Sequence, residues 1–428
     1  MANAFSKEEV VAFEQILEGF EDGLVMSRMA SVYTTDQESM ERSNDTIWRP
    51  MPMIAQSYDG SDATSNFGDN TQLSVPASIG YQKHSTAQLS AKELRDMLRE
   101  GTLGKAAMQK LASDINVSMA TVAALQGTVV VAKTGAASGY SDIASAEEAF
   151  NRVGVSMFDR MLTLSSKDYN GLANDIAGRE TPNQLVRDAY SKSMIGVDIA
   201  GFEAHKLDYS SRIAAASAVT VTIGAADQYY TPKATSTAST GEVANVDNRY
   251  QTITIDTDVT NIESAVAVGD AFTIAGVYEV HHITKESTGE LKTFRVISIE
   301  SGTGSADGTI KISPAIISAG GGTDAEKQYQ NVSATPANGA AITFLNTTAA
   351  NINPFWHKDA LEILPGRLSI DPESGAKVLR ATLENGIEVV MQKQFDILTQ
   401  KTRYRWDVLY GVVNKQPEMS GILLFGQA

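Results

Sequence analysis

Cysteine is missing from the 428-residue chain altogether, which removes disulfide frameworks, thiolate zinc sites and cysteine nucleophiles. Nothing in it depends on an oxidising compartment. Basic residues are the minority: 35 Lys and Arg stand against 51 Asp and Glu, for a net charge of −16. That balance argues against wrapping nucleic acid tightly through its phosphates. Long apolar runs are lacking too. The best, near Ala123–Ala132, is broken by Gln126 and Gly127, so no membrane span is expected. The amino-terminal stretch MANAFSKEEVVAFEQILEGFEDG is acidic and amphipathic, without the basic and apolar regions of a secretory leader, and points to a cytoplasmic start.

Histidine is scarce: only His84, His205, His281, His282 and His357 occur. Adjacent His281 and His282 would face opposite sides of a strand, and no metal-ligand spacing appears, so no metal site is expected. A Walker loop and a nucleophile elbow are absent. The glycine tracts GTGSADG and AGGGTD read as hairpin turns, and Glu147/Glu148 and Asp256/Asp258 as solvated surface. No catalytic residue, cofactor or metal is therefore expected.

What is present is ordinary globular composition, 43 % hydrophobic and 20 % charged, in a chain long enough for two or more modules. Ser6 and Glu9 form a capping box ahead of an apolar stripe, Phe13, Ile16, Leu17, Phe20 and Leu24. That helix either packs on its own domain or forms an arm that docks on a neighbouring subunit. Residues 31–85 show no sustained period; Pro50 and Pro52 block helix, and a polar loop, DGSDATSNFGDNTQ, follows. An extended hairpin reaching out of the domain accounts for such a stretch.

A second capping box, Ser90 with Glu93, opens a helix that Gly101 and Gly104 are expected to break or bend. Ala107, Leu111, Ile115, Met119, Val122 and Leu125 then predict one long helix from about Lys105 to Gln126, stopped at Gly127. Residues 128–216 alternate strand and helix signals. Strands are expected at TVVVAK and Met161–Ser165; helices are expected after a Ser145/Glu148 cap, over SKDYNGLANDIAG and over PNQLVRDAYS. From about Ser217 to Leu345, roughly a third of the residues are Ser, Thr or Gly, and alternating strands (AVTVTI, YQTITID, AFTIAGVYEV, FRVISIE, TIKISPAII) predict an inserted all-β barrel or sandwich. Two long strands close the chain. In the second, Tyr404, Trp406, Val408 and Tyr410 alternate with Arg405, Asp407 and Leu409, which predicts aromatics inward and arginines outward, free to pair with carboxylates. Interleaved Arg403 and Arg405 otherwise suggest a nucleic-acid face.

A terminal arm, a long loop and an inserted module, with no site chemistry, suggest an assembly subunit. The stretches YTTDQESMERSNDTIWRPMP, LSAKELRDMLREGTLGKAAMQKLASDINVSMATVAALQGTVVVA, VDNRYQTITI, GDAFTIAGVYEV, NPFWHKDALEIL and WDVLYGVVNKQPEMSGILLFGQA run in an order that resembles the major capsid (coat) proteins of short-tailed bacteriophages of the Salmonella phage P-22 type. The resemblance implies an α+β, Hong Kong 97-type capsid fold with a long spine helix, peripheral and axial domains, and an inserted all-β barrel. It divides the chain into an N-terminal arm (1–30), an extended loop region (31–85), a peripheral domain (86–127 and 376–412), an axial domain (128–216, 346–375 and 413–428) and the insertion (217–345).

Its partners would be copies of itself in pentamers and hexamers, scaffolding protein, portal protein, packaged double-stranded DNA without sequence specificity and a decoration protein, with no membrane. It would be assembled in the bacterial host cytoplasm and end in the virion capsid, the precursor shell expanding as the arm and the Gly101/Gly104 bend rearrange. Intersubunit contact would fall to Phe13, Leu17, Phe20, Trp48, Glu242, Asp247 and Arg249. The loop at about Thr235–Arg249, charge-rich in the family, here offers only the last three charges, and the extended loop has no isopeptide pair, so a shell without covalent cross-links is expected. The rival reading is a secreted adhesin or carbohydrate-binding protein with the Ser/Thr-rich module as its ligand domain.

Overall fold

A computed structural model describes residues 13, 17, 20, 23–33, 46–57, 60–64, 67–90, 92–93, 97–177, 198–209, 211–301, 307–370, 375–383 and 385–428. The Ser6/Glu9 box, Ile16 and the helix expected over 182–191 lie outside these residues. The chain divides into two units. One comprises Met1–Ile47, Ala77–Ala120 and Leu361–Val413; the other comprises Trp48–Pro76, Thr121–Ala360 and Asn414–Ala428.

The predicted long helix, which belongs to the first unit as far as Ala120, starts earlier than expected, at Met97, and runs without interruption through Gly101 and Gly104 to Gln126. The expected break is not there. Each glycine costs about 1 kcal/mol relative to alanine, less than the stripe of Ala107, Met108, Leu111, Ala112, Ile115 and Met119 gains by being buried. The capping box ahead of it is in place: the backbone and hydroxyl of Ser90 donate to Glu93 Oε2 at 3.0 and 2.9 Å. The sheet of this unit is built on Lys401–Asn414, which pairs antiparallel with Glu388–Asp396 on one side and with Tyr81–Ser90 on the other. The two late strands are joined by a third, Lys377–Thr382, split off at the Asn385–Gly386 turn, where Gly386 takes φ +80°. Leu361–Pro365 carries a short parallel partner, Ser31–Val32.

In the second unit, six strands lie in the order Val129–Ala132, Ser420–Leu424, Asn353–His357, Arg160–Leu164, Phe202–Lys206 and Asp198–Ile199. The helices Tyr140–Val153 and Ser166–Ala177 cover this sheet, and Phe150, Phe202 and Phe355 meet in the core with ring centroids 4.7 to 5.8 Å apart. The first helix does not begin at Ser145 as expected. Its start is held by Asp142, whose Oδ2 accepts from the Ser138 and Gly139 amides at 2.8 and 3.3 Å, while mid-helix Ser145 donates to Ser141 O. A carboxylate in a first turn satisfies orphan amides, and nearer the terminus it outcompetes a hydroxyl one turn further in.

The expected all-β insertion is a closed barrel: Val221–Ile223, Gln251–Thr257, Asp307–Ser313, Ser287–Ser301, Ala271–Val280 and Ala341–Phe344 pair in that circular order. Ile253, Ile255, Phe272, Ile274, Phe294, Val296, Ile310 and Ile312 fill it. These alternate along their strands, as closure requires. The α+β class with an inserted β-barrel is thus what the chain shows.

Ser420–Leu424 lies between two strands and carries Gly421 at its tightest point. A Cβ there would overlap the Val129 carbonyl and sit 2.5 Å from the Phe355 ring. Gly421→Ala is expected to destabilise the protein by about 3 kcal/mol through overpacking, read as a lower urea midpoint.

Candidate assembly surfaces and a buried ionic cluster

Among the described residues of the amino-terminal stripe, burial within the chain is uneven. Phe13 and Phe20 are buried and Leu17 is half-buried. The segment that follows rests on the long helix. Asn116 accepts from the Met26 amide at 3.2 Å and donates to Gly23 O at 2.8 Å, and Gly23 approaches so closely that a Cβ would meet the Ala112 methyl at 3.0 Å. Trp48 is half-buried in Thr46–Pro50.

The loop at 235–249 divides in two. Thr235–Thr237 and Val243–Asn245 pair as a hairpin whose residues are all exposed, Glu242 and Val243 included; Val243 keeps 61 % of its surface. Asp247 and Arg249 belong instead to its base. Arg249 grips Asp247 through Nη2 at 2.6 Å and Nε at 2.9 Å, and spends Nη1 on the Asn414 carbonyl at 2.8 Å. Asn248 locks the strand opposite by bonding both the amide and the carbonyl of Lys233 at 2.9 Å. Glu242 is therefore the one charge of the three carried on the exposed hairpin.

The long irregular segment is anchored on the residues that follow the barrel strand Asp307–Ser313. Leu73 packs with Ala315, Ile317 and Tyr329; Tyr329 donates to Thr71 O at 2.8 Å and Gln56 donates to Asp324 O at 3.1 Å. Phe67, further out, keeps 89 % of its surface. The late strand Lys401–Asn414 carries the predicted alternation. Tyr404 and Trp406 are buried and stacked, while Arg403 and Arg405 face outward and pair with Asp396 and Asp407 at 2.9 and 2.8 Å. Each outward guanidinium thus has a carboxylate beside it, as the alternation predicted.

Sequence reading missed a cluster where the barrel meets the second unit's sheet. Lys292 sits on the inward register of its barrel strand, in step with Phe294 and Val296. Its Nζ lies 2.7 Å from Glu418 Oε1 and 3.5 Å from Glu279 Oε1. Arg152 holds the other oxygen of Glu279 at 2.9 Å, Asn331 Nδ2 donates to Glu418 Oε1 at 3.1 Å, and His282 Nε2 stands 3.6 Å from Glu418 Oε2. Burial alone would raise the Glu418 carboxyl; Lys292 and His282 beside it bring it down to about 2. Burial pushes His282 below its usual value, which keeps it neutral at pH 7. The Nδ1 of His281 accepts from the Ile283 and Thr284 amides; both histidines lie in the turn after Ala271–Val280 and not on the strand the sequence suggested.

Three residues along the same strand, buried Arg295 donates to the carbonyls of Ala124 and Gly127 at 3.0 and 3.1 Å and twice to Gly269. It thereby closes the carbonyl end of the long helix. Burial lowers it to about 10, which leaves it charged at pH 7. The signal for the cluster was faint: a lysine at an inward position of an alternating strand. No group of three potential metal ligands occurs among the described residues, and no described helix is long and apolar enough to cross a membrane.

A family model described as "P22 coat protein - gene protein 5" matches residues 1–426. Similar solved structures include the capsid of cyanophage P-SCSP1u, at 12 % identity over 94 % of this chain and 87 % of that one, with a TM-score of 0.43. Mycobacterium phage Che8 gives 9 % identity over 91 % and 88 %, with a TM-score of 0.42. The CUS-3 coat protein I-domain gives 37 % identity over 30 % of this chain and 98 % of that one, with a TM-score of 0.23. None of these findings supports the adhesin reading.

The ionic cluster sets a pH dependence. A carboxyl held at about 2 in the folded chain, against 4.5 in the unfolded one, contributes stability that is fully present above about pH 4.5 and is lost as pH falls toward 2. Between those limits the urea midpoint of the wild type is expected to fall more steeply than that of Glu418→Gln. At pH 7, Lys292→Ala leaves the Glu418 carboxylate without its lysine, while Glu279 keeps Arg152, and is expected to cost about 3–5 kcal/mol.

Proposed function

The chain belongs to the P22 coat protein family and is a structural major capsid protein, and we propose that its copies close an icosahedral shell of pentamers and hexamers around double-stranded DNA, with a scaffolding protein guiding closure. The observation that carries the contact side of this reading is the wholly exposed hairpin Thr235–Asn245, held rigidly at its base by Arg249 and Asn248 and offering its edges to a neighbour. Exposed strand edges are templates for pairing with another chain. The hydroxyls of Thr235, Ser236 and Thr237 and the apolar Val243 supply hydrogen bonds and a small buried patch in place of ion pairs. Exposed Phe67 in the extended segment offers a second contact of the same kind, and half-buried Trp48 a third.

Net negative charge suits a container whose DNA must slide during packaging, since repulsion keeps phosphates off the wall. Assembly in the host cytoplasm, a portal protein at one vertex and a decoration protein outside belong to the same reading.

Co-expression with a scaffolding protein and electron microscopy test it. Closed particles are the expected outcome; a chain that stays monomeric at high concentration beside its scaffold overturns it. Val243→Asp is expected to leave the unfolding midpoint within about 0.5 kcal/mol of wild type, as exposed substitutions do, yet to lower the yield of closed particles in sedimentation.

A further inference from the structure

We propose that the flank of the inserted barrel is a seat for the chain's own extended segment, Trp48–Pro76, and that it holds this strap ordered before any neighbour arrives. Segment and barrel belong to the same unit. Between Pro52 and Gln72 every described residue is exposed except Ile54, Gln56 and Thr71, which are half-buried. Those three are the ones that reach the barrel's flank. Ile54 packs against the cluster of Leu73, Ala315, Ile317 and Tyr329. Gln56 Nε2 donates to Asp324 O at 3.1 Å. The Thr71 amide donates to Gln328 Oε1 at 3.1 Å, and its carbonyl accepts from the Tyr329 hydroxyl at 2.8 Å. Gly68 passes so close to the helix Asp324–Tyr329 that a Cβ there would lie 2.5 Å from Asp324 Oδ2. At the strap's base, Ser74 bridges to Asp247, at the root of the exposed hairpin.

The strap has little else to hold its shape. Its ends meet where the Met51 amide donates to Leu73 O at 2.9 Å. Beyond that, an extended chain stays ordered only where outside contacts offset the entropy of fixing it. The helix Asp324–Tyr329 supplies them through Asp324 O, Gln328 and Tyr329. Met53 and Phe67 meanwhile keep 51 and 89 % of their surface. A strap ordered in advance loses less freedom when a neighbour covers Phe67, which favours that contact without adding to it. Leaving the seat would return Leu73, now 2 % exposed, to water. The strap therefore keeps its seat in the shell. That consequence rests on the shell reading above; the seat in the free chain does not.

The chain contains no cysteine, so Gly68→Cys with Asp324→Cys adds a single possible bridge within it. The two Cβ atoms would stand 3.7 Å apart, within the span of a disulfide. With oxidised glutathione as electron acceptor, the soluble full-length chain is expected to close this bridge within itself, read as a cross-linked peptide by mass spectrometry. Thiols that stay free, or that bridge two chains, overturn the proposal. Tyr329→Phe removes the grip on the Thr71 carbonyl and is expected to speed amide exchange across 67–73 about three- to tenfold; unchanged exchange overturns the seat. With scaffold at limiting concentration, Tyr329→Phe is expected to lose closed particles and the bridge to restore them. A bridge that abolishes particles which the reduced protein forms shows that the strap must leave its seat, and overturns the proposal. Should neither form give particles, the shell reading fails, and bridging and exchange in the soluble chain decide the seat alone. Gln56→Ala, at a half-buried residue, replaces Tyr329→Phe should that variant fold poorly.

Discussion

The inserted barrel is held in place by charge taken out of water. A closed barrel satisfies its own backbone and fills its own core, so nothing in its strands dictates how it sits on the rest of its unit. Its entry and exit near Ser217 and Asn346 would let it swivel. Two cations on one barrel strand prevent this: Arg295 spends its guanidinium on carbonyls of Ala124, Gly127 and Gly269, and Lys292 is enclosed by Glu418 and Glu279. Thr293 between them accepts from the Val130 amide and donates to Thr128 O at 2.6 Å. A buried ion pair adds little net stability over a greasy contact of equal size, but any rotation that separates its members strands a desolvated charge. The arrangement therefore defines one orientation steeply, and the exposed hairpin at 235–245 inherits that orientation.

Rigid placement of weak contacts suits a subunit that must find many neighbours. Phe67, Val243 and, on the Glu388–Asp396 to Lys401–Asn414 turn, Leu398 are exposed at 89, 61 and 92 %. Phe67 and Val243 stand among polar neighbours, while Leu398 shares its turn with exposed Ile397. Burying one yields about 1.5–3 kcal/mol, too little to trap a wrong pairing and enough, summed over a shell, to hold a right one.

Strand periodicity was the most legible part of the chain. The alternation at Tyr404–Tyr410 and the β texture of 217–345 reappear as sheet and barrel because one-sided burial imposes a period of two. Helix boundaries were less legible. Ser145 looks like a cap, but Asp142 lies nearer the terminus and takes the amides; Gly101 and Gly104 look like breaks, but local propensity yields to a buried stripe. The ionic cluster was illegible because its members, Arg152, Glu279, Lys292, Asn331 and Glu418, come together only after the barrel closes and the last strand returns beside the first of its sheet. The charges at 242–249 were counted correctly as three, yet sequence could not reveal that two of them satisfy each other.

That last pairing constrains any contact the hairpin makes. With Asp247 and Arg249 joined to each other and to Asn414, a two-fold copy meeting this hairpin would bring Glu242 toward Glu242 with no cation of the loop to offset it. Like charges placed opposite each other on paired strands are destabilising. A contact here must then be won by backbone hydrogen bonds, threonine and serine hydroxyls and Val243, interactions that added salt does not screen. Salt relieves the repulsion between the two glutamates, so such a shell gains cohesion at this contact as ionic strength rises, the reverse of one stapled by ion pairs.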